Sequence, residues 1–280
     1  MIQKSLGIAR IVTHVLVFIV LTMLTQLGGI IYLISRRTHP LIMQKVTRPI
    51  LQPLVKIGAF LLIYLFSTLL IIPLLAAPFG RVPLPVFRKD GLQPLRLSTC
   101  LLNRHYVRPA LREAALDIAL KMNRFHPGTA VNYLDGGFPF FNSFPMLPHL
   151  SHNDGKKLDL AFLYIDKASG APSDNAPSVI GYGVCETPRP GEINTAESCR
   201  EQGYRWYNVL QQIAPQGNKH KYVFDSLRMR ALMTVIIYHP AIHKIFIEPH
   251  LQTRLQLESD KIRFHGCYAV RHDDHIHIQL

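Results

Sequence analysis

The chain has 280 residues, 48% of them hydrophobic, and a formal net charge of +13 at pH 7. This length allows one sizeable domain with additional segments. The basic balance favours anionic surfaces such as cell-wall polymer or lipid headgroups. Nucleic acid is disfavoured as a partner, because the chain has no basic stripe interleaved with aromatic residues and no known nucleic-acid-binding motif.

Two long uncharged runs dominate the start of the chain. Residues 11–35 and 57–80 contain no Lys, Arg, Asp or Glu, and each run exceeds the roughly 20 apolar residues that cross a bilayer as a helix. We therefore predict that residues 1–80 form a transmembrane hairpin, with helices over about 11–35 and 57–78. A signal peptide is an alternative for the first run, although residues 21–29 offer no clear Ala-x-Ala cleavage site. Buried helices of a soluble protein are a second alternative.

The basic residues around these runs predict their orientation. The loop between the runs contains five Lys or Arg residues, the segment before them two, and the segment after them four. Cytoplasmic loops of membrane proteins carry an excess of Lys and Arg. We therefore predict a cytoplasmic loop in the cytoplasmic membrane, with both ends of the chain outside and the C-terminal domain on the extracytoplasmic (periplasmic) side.

The four cysteines support this location, because all of them follow the apolar runs. An even number in one domain is typical of disulfides in an oxidising compartment. Cys185 and Cys199 flank a loop rich in Pro, Gly and small polar residues and form a natural pair, which would leave Cys100 with Cys267. Four cysteines permit three pairings, so the connectivity stays open, and free buried thiols are a further alternative.

The rest of the chain predicts a Pro-rich linker over residues 81–105 and an α+β domain over residues 106–280. In that domain we expect a small antiparallel sheet with flanking helices, in which Asp159 and the pair His275/His277 lie on adjacent strands. The helices are predicted over residues 110–123, 204–213 and 226–238, the last capped by Asp225. The strands are predicted over residues 131–137, 158–165, 244–248 and 261–264 and from His275 onward.

The final strand carries the first candidate site. From His275 the residues alternate between polar and apolar, so His275, His277 and Gln279 share one face while Ile276 and Ile278 face the core. Neutral imidazole is the commonest metal ligand in proteins. Two histidines on a rigid strand therefore indicate half of a metal site, and an exposed polar strand face is the alternative.

A second cluster would supply the remaining ligands. His149 and His152 precede an Asn-Asp-Gly turn, and Asp159 begins the strand after it. A carboxylate among apolar side chains is costly to bury unless it is paired or bound to a metal. Two histidines and one aspartate, with a fourth position for water, form the ligand set of a catalytic zinc site. A solvated edge strand is the alternative for Asp159.

These blocks resemble the zinc metallopeptidases that include lysostaphin-type and D-Ala-D-Ala-type enzymes, and most of all the penicillin-insensitive murein endopeptidases. The resemblance covers about residues 130–280. The residues that carry it are His149-x-x-His152, Gly155, Asp159, the run 239–249 and the run 272–277.

The resemblance implies roles for the site residues. Zn²⁺ would be held by His152, Asp159 and His277. His275 would carry the proton from the attacking water to the leaving amine, and His272 would stabilise the oxyanion or support this base. Family likeness, not spacing, assigns His277 rather than His275 to the metal.

Around this site the resemblance leaves more open. Asp273 or Asp274 would hold a ring nitrogen, and His149 would either support the site or be a simple loop residue. The expected partners are a peptidoglycan peptide as substrate and the membrane. Hydrolysis of another peptide or amide is one alternative function, and a non-catalytic binding module on the same fold is another.

Overall fold

The computed structural model describes the backbone of residues 2–280 and the side chains of residues 7–280. A bundle of N-terminal helices precedes one α+β domain. The helices are α1 (Ile2–Thr25), α2 (Gly28–Met43), α3 (Gln52–Phe66), α4 (Ile72–Ala76), α5 (Leu97–Leu101), α6 (Pro109–Phe125), α7 (Thr195–Glu201), α8 (Val209–Ile213), α9 (Ser226–Ile237) and α10 (Pro249–Arg254). The strands are β1 (Val82–Pro83), β2 (Leu92–Pro94), β3 (Tyr106–Val107), β4 (Val131–Tyr133), β5 (Lys157–Ala161), β6 (Tyr164–Asp166), β7 (Pro172–Ser173), β8 (Tyr222–Phe224), β9 (Lys244–Phe246), β10 (Ile262–Arg263) and β11 (His275–Gln279).

A six-stranded mixed sheet in the order β10-β9-β11-β5-β4-β2 forms the centre of the domain. β11 is antiparallel to β5 on one side and to β9 on the other, whereas the pairs β2–β4 and β10–β9 are parallel. The prediction of an α+β domain is confirmed, but the prediction of a small antiparallel sheet is wrong. The parallel pairs arise because α6 and α10 provide the crossovers that parallel strands require.

The predicted helices of the domain lie close to their expected positions. α6 has Pro109 in its first turn and buries one face against the sheet. α9 begins after Asp225, whose carboxylate accepts a hydrogen bond from the backbone N–H of Arg228 at 3.0 Å. This cap satisfies one of the free donors at the helix start. Both helices contribute to one continuous apolar core beneath the sheet.

Residues 81–105 differ from the linker that the sequence predicts. They contain β1, which pairs with β3, and β2, which is an edge strand of the main sheet. Arg81 is buried at the start of this segment, and its guanidinium donates hydrogen bonds to Asn142 Oδ1 at 2.7 Å and to the carbonyl of Phe138 at 3.3 Å. The prolines do not prevent this arrangement, because proline is tolerated in edge strands.

Among the residues that the structure describes, two helical stretches are long and apolar enough to cross a membrane, Gly7–Thr25 and Pro49–Phe79. The second continues from α3 through a π-helical turn into α4. The predicted first span over residues 11–35 is wrong in its extent, because α1 ends at Thr25 and Gln26 adopts a φ of +67°.

After that break, α2 turns back along α1. At Gly29 the two helices approach so closely that a Cβ atom would lie 2.1 Å from Thr22 Oγ1, and further along His14 Nδ1 is 2.6 Å from the hydroxyl of Tyr32. Phe60 of α3 contacts the other side of Tyr32, with 6.2 Å between ring centroids. These contacts place α2 antiparallel to α1 and beside α3, and only glycine permits the close approach at position 29. The start of α1 therefore lies at the same end of the bundle as Arg36, so the prediction that both ends of the chain lie on the side opposite the basic loop is wrong for the N-terminal end.

The domain packs directly on the helices. The side chain of Asn103 donates to the carbonyl of Thr25 at 3.4 Å, and the backbone N–H of Phe140 donates to Gln26 Oε1 at 2.9 Å. Tyr64 of α3 donates its hydroxyl to the carbonyl of Leu101. A second buried cluster joins the helices to the domain, and it contains Ile31, Tyr64, Ile72, Ala76, Tyr106 and Phe140.

The disulfide joins Cys199 in α7 to Cys267, with 5.4 Å between their Cα atoms, while Cys100 and Cys185 are free and buried. The predicted pairs Cys185–Cys199 and Cys100–Cys267 are therefore wrong. Two cysteines can be bridged only when the fold brings their Cα atoms this close, and sequence proximity does not determine which ones meet.

Candidate metal centre

The two strands at the centre of the sheet place three of the candidate residues together. In the antiparallel pairing of β11 with β5, His277 lies opposite Asp159 and His275 lies opposite Ala161. Because side chains alternate between faces along a strand, His275, His277 and Asp159 share one face. Both strands have neighbours on each side, so the backbone beneath these groups is rigidly held.

His152, Asp159 and His277 converge on one point. His277 Nδ1 is 2.9 Å from Asp159 Oδ1, His152 Nε2 is 3.2 Å from the same oxygen, and the two ring nitrogens are 3.1 Å apart. Tetrahedral ligands at the usual zinc distances of about 2.0–2.2 Å lie about 3.3–3.6 Å from one another. The three atoms are thus at hydrogen-bonding distances, a few tenths of an ångström closer than zinc ligands, and small side-chain shifts would bring them to the ligand spacing.

The tautomer of His152 supports this interpretation. Its Nδ1 lies 2.8 Å from the carbonyl of Gly136 and donates its proton there, which directs Nε2 at Asp159. Burial opposes a charged imidazolium, but the carboxylate of Asp159 outweighs burial and raises the pKa of His152. Without a metal, this raised pKa favours a proton between Nε2 and the carboxylate, and a bound cation can take the place of that proton. A backbone carbonyl that fixes the ring in this way is a usual partner of a metal-binding histidine.

Asp159 is fully buried and is held by its second oxygen. The hydroxyl of Tyr182 donates to Asp159 Oδ2 at 2.9 Å. Burial alone would raise the pKa of this carboxyl, but the neighbouring rings of His152 and His275 hold the pKa well below its usual range. The carboxylate is thus ionised and oriented, with Oδ1 directed at the two ring nitrogens.

A second group of possible ligands shares the same carboxylate and contains His149, Asp159 and His275. His149 Nδ1 is 3.5 Å from Asp159 Oδ2 and 3.2 Å from Asp135 Oδ2, and the guanidinium of Arg104 contacts Asp135 at 2.9 Å. The separations in this group are longer than in the first. Because His149 Nδ1 also faces Asp135, whereas the ligand atoms of His152 and His277 contact Asp159 and each other, the group with His152 and His277 is favoured as the site for a metal ion.

The other two histidines of the final segment line the same site. His275 Nδ1 is hydrogen-bonded to Asp274 Oδ1, and its Nε2 is 3.7 Å from Asp159 Oδ1. Burial opposes its charged form, but Asp159 and Asp274 together raise the pKa of His275 to about 9. His272 lies 4.9 Å from His275 between ring centroids, and burial holds its pKa well below the usual value.

The sequence left open whether Asp273 or Asp274 holds a ring nitrogen, and the structure shows that Asp274 holds Nδ1 of His275. Its other oxygen accepts the backbone N–H of Gly183, which fixes the carboxylate. Asp273 instead forms a two-point ion pair with Arg271. The predicted choice between these residues is therefore decided in favour of Asp274.

The site opens into a pocket of about 210 Å³. A loop after β10 forms one wall, and it contains the disulfide-bonded Cys267 and the exposed Tyr268. The disulfide ties this wall to α7. The residues that line the pocket are Pro148, His149, Leu150, Ser151, His152, Asp159, His265, Tyr268, Ala269, Val270, His272, His275 and His277.

Three supporting residues were not identified from the sequence. Asp135 lies two residues after the end of β4, ahead of two glycines, and a carboxylate just beyond a strand end is a signal that could have indicated a role. Arg104 and Tyr182 carry no comparable signal, because each lies in an irregular segment that only the fold brings to the site.

Removing the hydroxyl that holds Asp159 should weaken the site. We expect Tyr182→Phe to lower metal affinity or activity by about 10–100-fold, the usual cost of losing an outer partner of a metal ligand. Metal titration and turnover of the purified variant measure this effect. Tyr133→Phe is the matched control, because that buried hydroxyl donates to the carbonyl of Pro85, away from the site. Equal losses in the two variants would contradict a specific role for Tyr182.

No family model matches the chain, and no curated protein with which it was compared matches it. The chemistry of the site is therefore inferred from its own residues.

Proposed function

We propose that this chain is a membrane-anchored zinc peptidase that hydrolyses peptide cross-links in peptidoglycan. The observation that carries the metal assignment is the buried triangle of His152 Nε2, Asp159 Oδ1 and His277 Nδ1, with sides of 2.9–3.2 Å. The choice of peptidoglycan rests on the resemblance of the motif blocks to murein endopeptidases.

The donor set favours zinc over the other common metal ions. Two imidazoles and one carboxylate are typical zinc ligands, whereas Mg²⁺ and Ca²⁺ prefer oxygen ligands alone. Three protein ligands, rather than four, are characteristic of catalytic zinc sites, which keep one position for water or substrate. The pocket on the open side of the triangle provides room for that position.

A zinc ion held by His152, Asp159 and His277 would supply Lewis acidity toward a water molecule and the scissile carbonyl. In the metal-free site the raised pKa keeps His275 protonated, but a cation on Asp159 would offset much of the negative charge that raises it. His275 would then take the proton of the attacking water on its Nε2 and donate a proton to the leaving amine. Asp274 positions the ring of His275 and stabilises its charged form through Nδ1. His272, whose ring lies beside that of His275, faces the same pocket and would stabilise the developing oxyanion.

The test uses the full-length protein purified in detergent and loaded with zinc. Its metal content is measured, and it is incubated with purified sacculi and with dimeric muropeptides. We expect about one zinc per chain and conversion of dimers to monomers that stops when a chelator is added. If the dimers survive while casein or a small peptide is cut, the assignment of peptidoglycan as the substrate is refuted and the assignment of peptide hydrolysis stands. Absence of bound zinc would refute the proposal that the chain is a zinc peptidase.

The arrangement of the helices supports the proposed orientation. Residues 1–80 contain seven Lys or Arg residues and no acidic residue. The domain contacts the helices near Gln26 and between Tyr64 and Phe79, whereas the basic residues lie on the other stretches of the antiparallel bundle. A bundle with its basic end inside places the domain outside the cytoplasmic membrane.

This orientation predicts the behaviour of reporter fusions. Alkaline phosphatase fused after Gln279 should be active, because it folds only where its disulfides form, and a cytoplasmic reporter at the same position should be inactive. A fusion in the loop around Lys45 should give the opposite pair of results and serves as the control. An inactive phosphatase beside an active cytoplasmic reporter after Gln279 would overturn the orientation.

A further inference from the structure

An apolar groove of about 430 Å³ lies between the second apolar helix and the domain, away from the metal centre. One wall is helix, and the other consists of β1, the segment after it, and α5. The residues that line it are Thr68, Leu69, Pro73, Pro83, Leu84, Pro85, Val86, Phe87, Leu97, Cys100, Leu101, His105 and Arg112. Phe87, with 81% of its surface exposed, stands at the open side.

The groove lies at the depth of the outer lipid leaflet if the helix spans the bilayer, as proposed above. Lys56 marks the basic end of the span. At 1.5 Å per residue, the hydrocarbon core of about 30 Å ends near Ala76. Thr68 and Leu69 lie about 18–20 Å along the same axis, which is in the outer half of that core. The groove therefore opens sideways into lipid chains.

Two polar side chains interrupt its apolar lining. His105 is 3% exposed, and its Nδ1 has no hydrogen-bond partner among the described residues. Burial lowers the pKa of His105 to about 3, so the ring is neutral. A neutral buried imidazole with an unsatisfied nitrogen is costly, and a polar group of a ligand would relieve that cost.

Arg112 supplies the charge at the same groove. Its Nε donates to the carbonyl of Pro83 at 3.1 Å, and among the described residues no protein group pairs with its two terminal nitrogens. It lies in the first turn and a half of α6, where the helix dipole also favours an anion. Arginine binds phosphate through two parallel hydrogen bonds.

We propose that this groove binds one anionic phospholipid of the outer leaflet. An acyl chain lies along Leu84, Leu97 and Leu101, and the phosphate pairs with Arg112. The polar region next to the glycerol satisfies His105. A peptide segment fits less well, because the groove lies at a depth where an unpaired peptide backbone costs several kcal/mol per group.

The test uses tryptophan quenching in the full-length protein. Trp206 is the only tryptophan of the chain, so a Trp206→Phe background is silent, and Phe87→Trp then reports on the groove. The protein is reconstituted into phosphatidylcholine vesicles with a minor fraction of phosphatidylglycerol, and one of the two lipids carries brominated acyl chains. Leu62→Trp on the lipid-facing side of α3 and Phe125→Trp on the domain are the controls, since both positions are exposed.

We expect brominated phosphatidylglycerol to quench the tryptophan of Phe87→Trp several-fold more than the fraction of phosphatidylglycerol in the vesicle predicts. The quenching of Leu62→Trp should be proportional to that fraction, and Phe125→Trp should not be quenched. Arg112→Gln should abolish the excess at Phe87→Trp, whereas Arg112→Lys should retain part of it. Quenching at Phe87→Trp that is only proportional to that fraction, or an excess that survives Arg112→Gln, would overturn the proposal. An unquenched Leu62→Trp would instead overturn the membrane location on which it rests.

Discussion

Replacement of His277 by alanine is expected to abolish zinc binding and activity together. The substitution removes one of the three ligand atoms, and the two that remain, His152 Nε2 and Asp159 Oδ1, are too few for a stable zinc site. Asp159→Ala should give the same result, because its carboxylate contacts both ring nitrogens. Zinc per chain and turnover on dimeric muropeptides are the measurements.

The same strand offers a matched control for these variants. Gln279 lies on the face of His277, two residues further along β11, and outside the pocket. Gln279→Ala should keep both zinc and activity. Circular dichroism confirms that each variant is folded. Full zinc occupancy in His277→Ala would refute the assignment of this ligand.

Replacement of His275 by alanine should separate metal binding from catalysis. The proposed ligand triangle does not include His275, so zinc should remain at about one per chain. Turnover should fall by about 10²–10⁴-fold, the usual contribution of a positioned acid–base group. The measurements are the metal content and the rate constants of the same purified sample.

Asp274→Asn tests the same role from one residue away. It keeps the shape of the hydrogen bond to His275 but removes the charge that stabilises the imidazolium. We expect a smaller loss of turnover than in His275→Ala and a change in the pH dependence of the rate. If His275→Ala is correctly folded but has lost its zinc, then His275 is a ligand. The metal site would in that case be the second group, which contains His149, Asp159 and His275.

Much of the candidate site could be predicted from the sequence, because a strand has a period of two. The alternation from His275 to Gln279 determined which side chains share a face, and the paired strands β5 and β11 place His277 opposite Asp159. The supporting groups could not be predicted in this way. Tyr182 and Arg104 reach the site from irregular segments, where no periodicity indicates direction.

The parts of the fold that were predicted wrongly depend on long-range contacts. β2 has three residues and β10 has two, too few for a periodic signal, yet each pairs with a neighbour to widen the sheet. The first apolar run shows no charge to mark its break, which results from the close packing of Gly29 on α1. The pairing of Cys199 with Cys267 likewise depends on where the fold brings two distant segments.

The folded state of residues 81–105 has a consequence for the range of action of the proposed peptidase. A flexible linker of that length could extend roughly 80–90 Å and let the catalytic domain search the wall far from its anchor. Instead, Asn103 contacts the helices while the adjacent Arg104 contacts Asp135 at the metal centre. The centre is thus held at a fixed short distance from the N-terminal helices. If these helices anchor the chain as proposed, its substrates must come to the membrane. Newly made or inward-facing strands meet that condition, and mature outer layers do not.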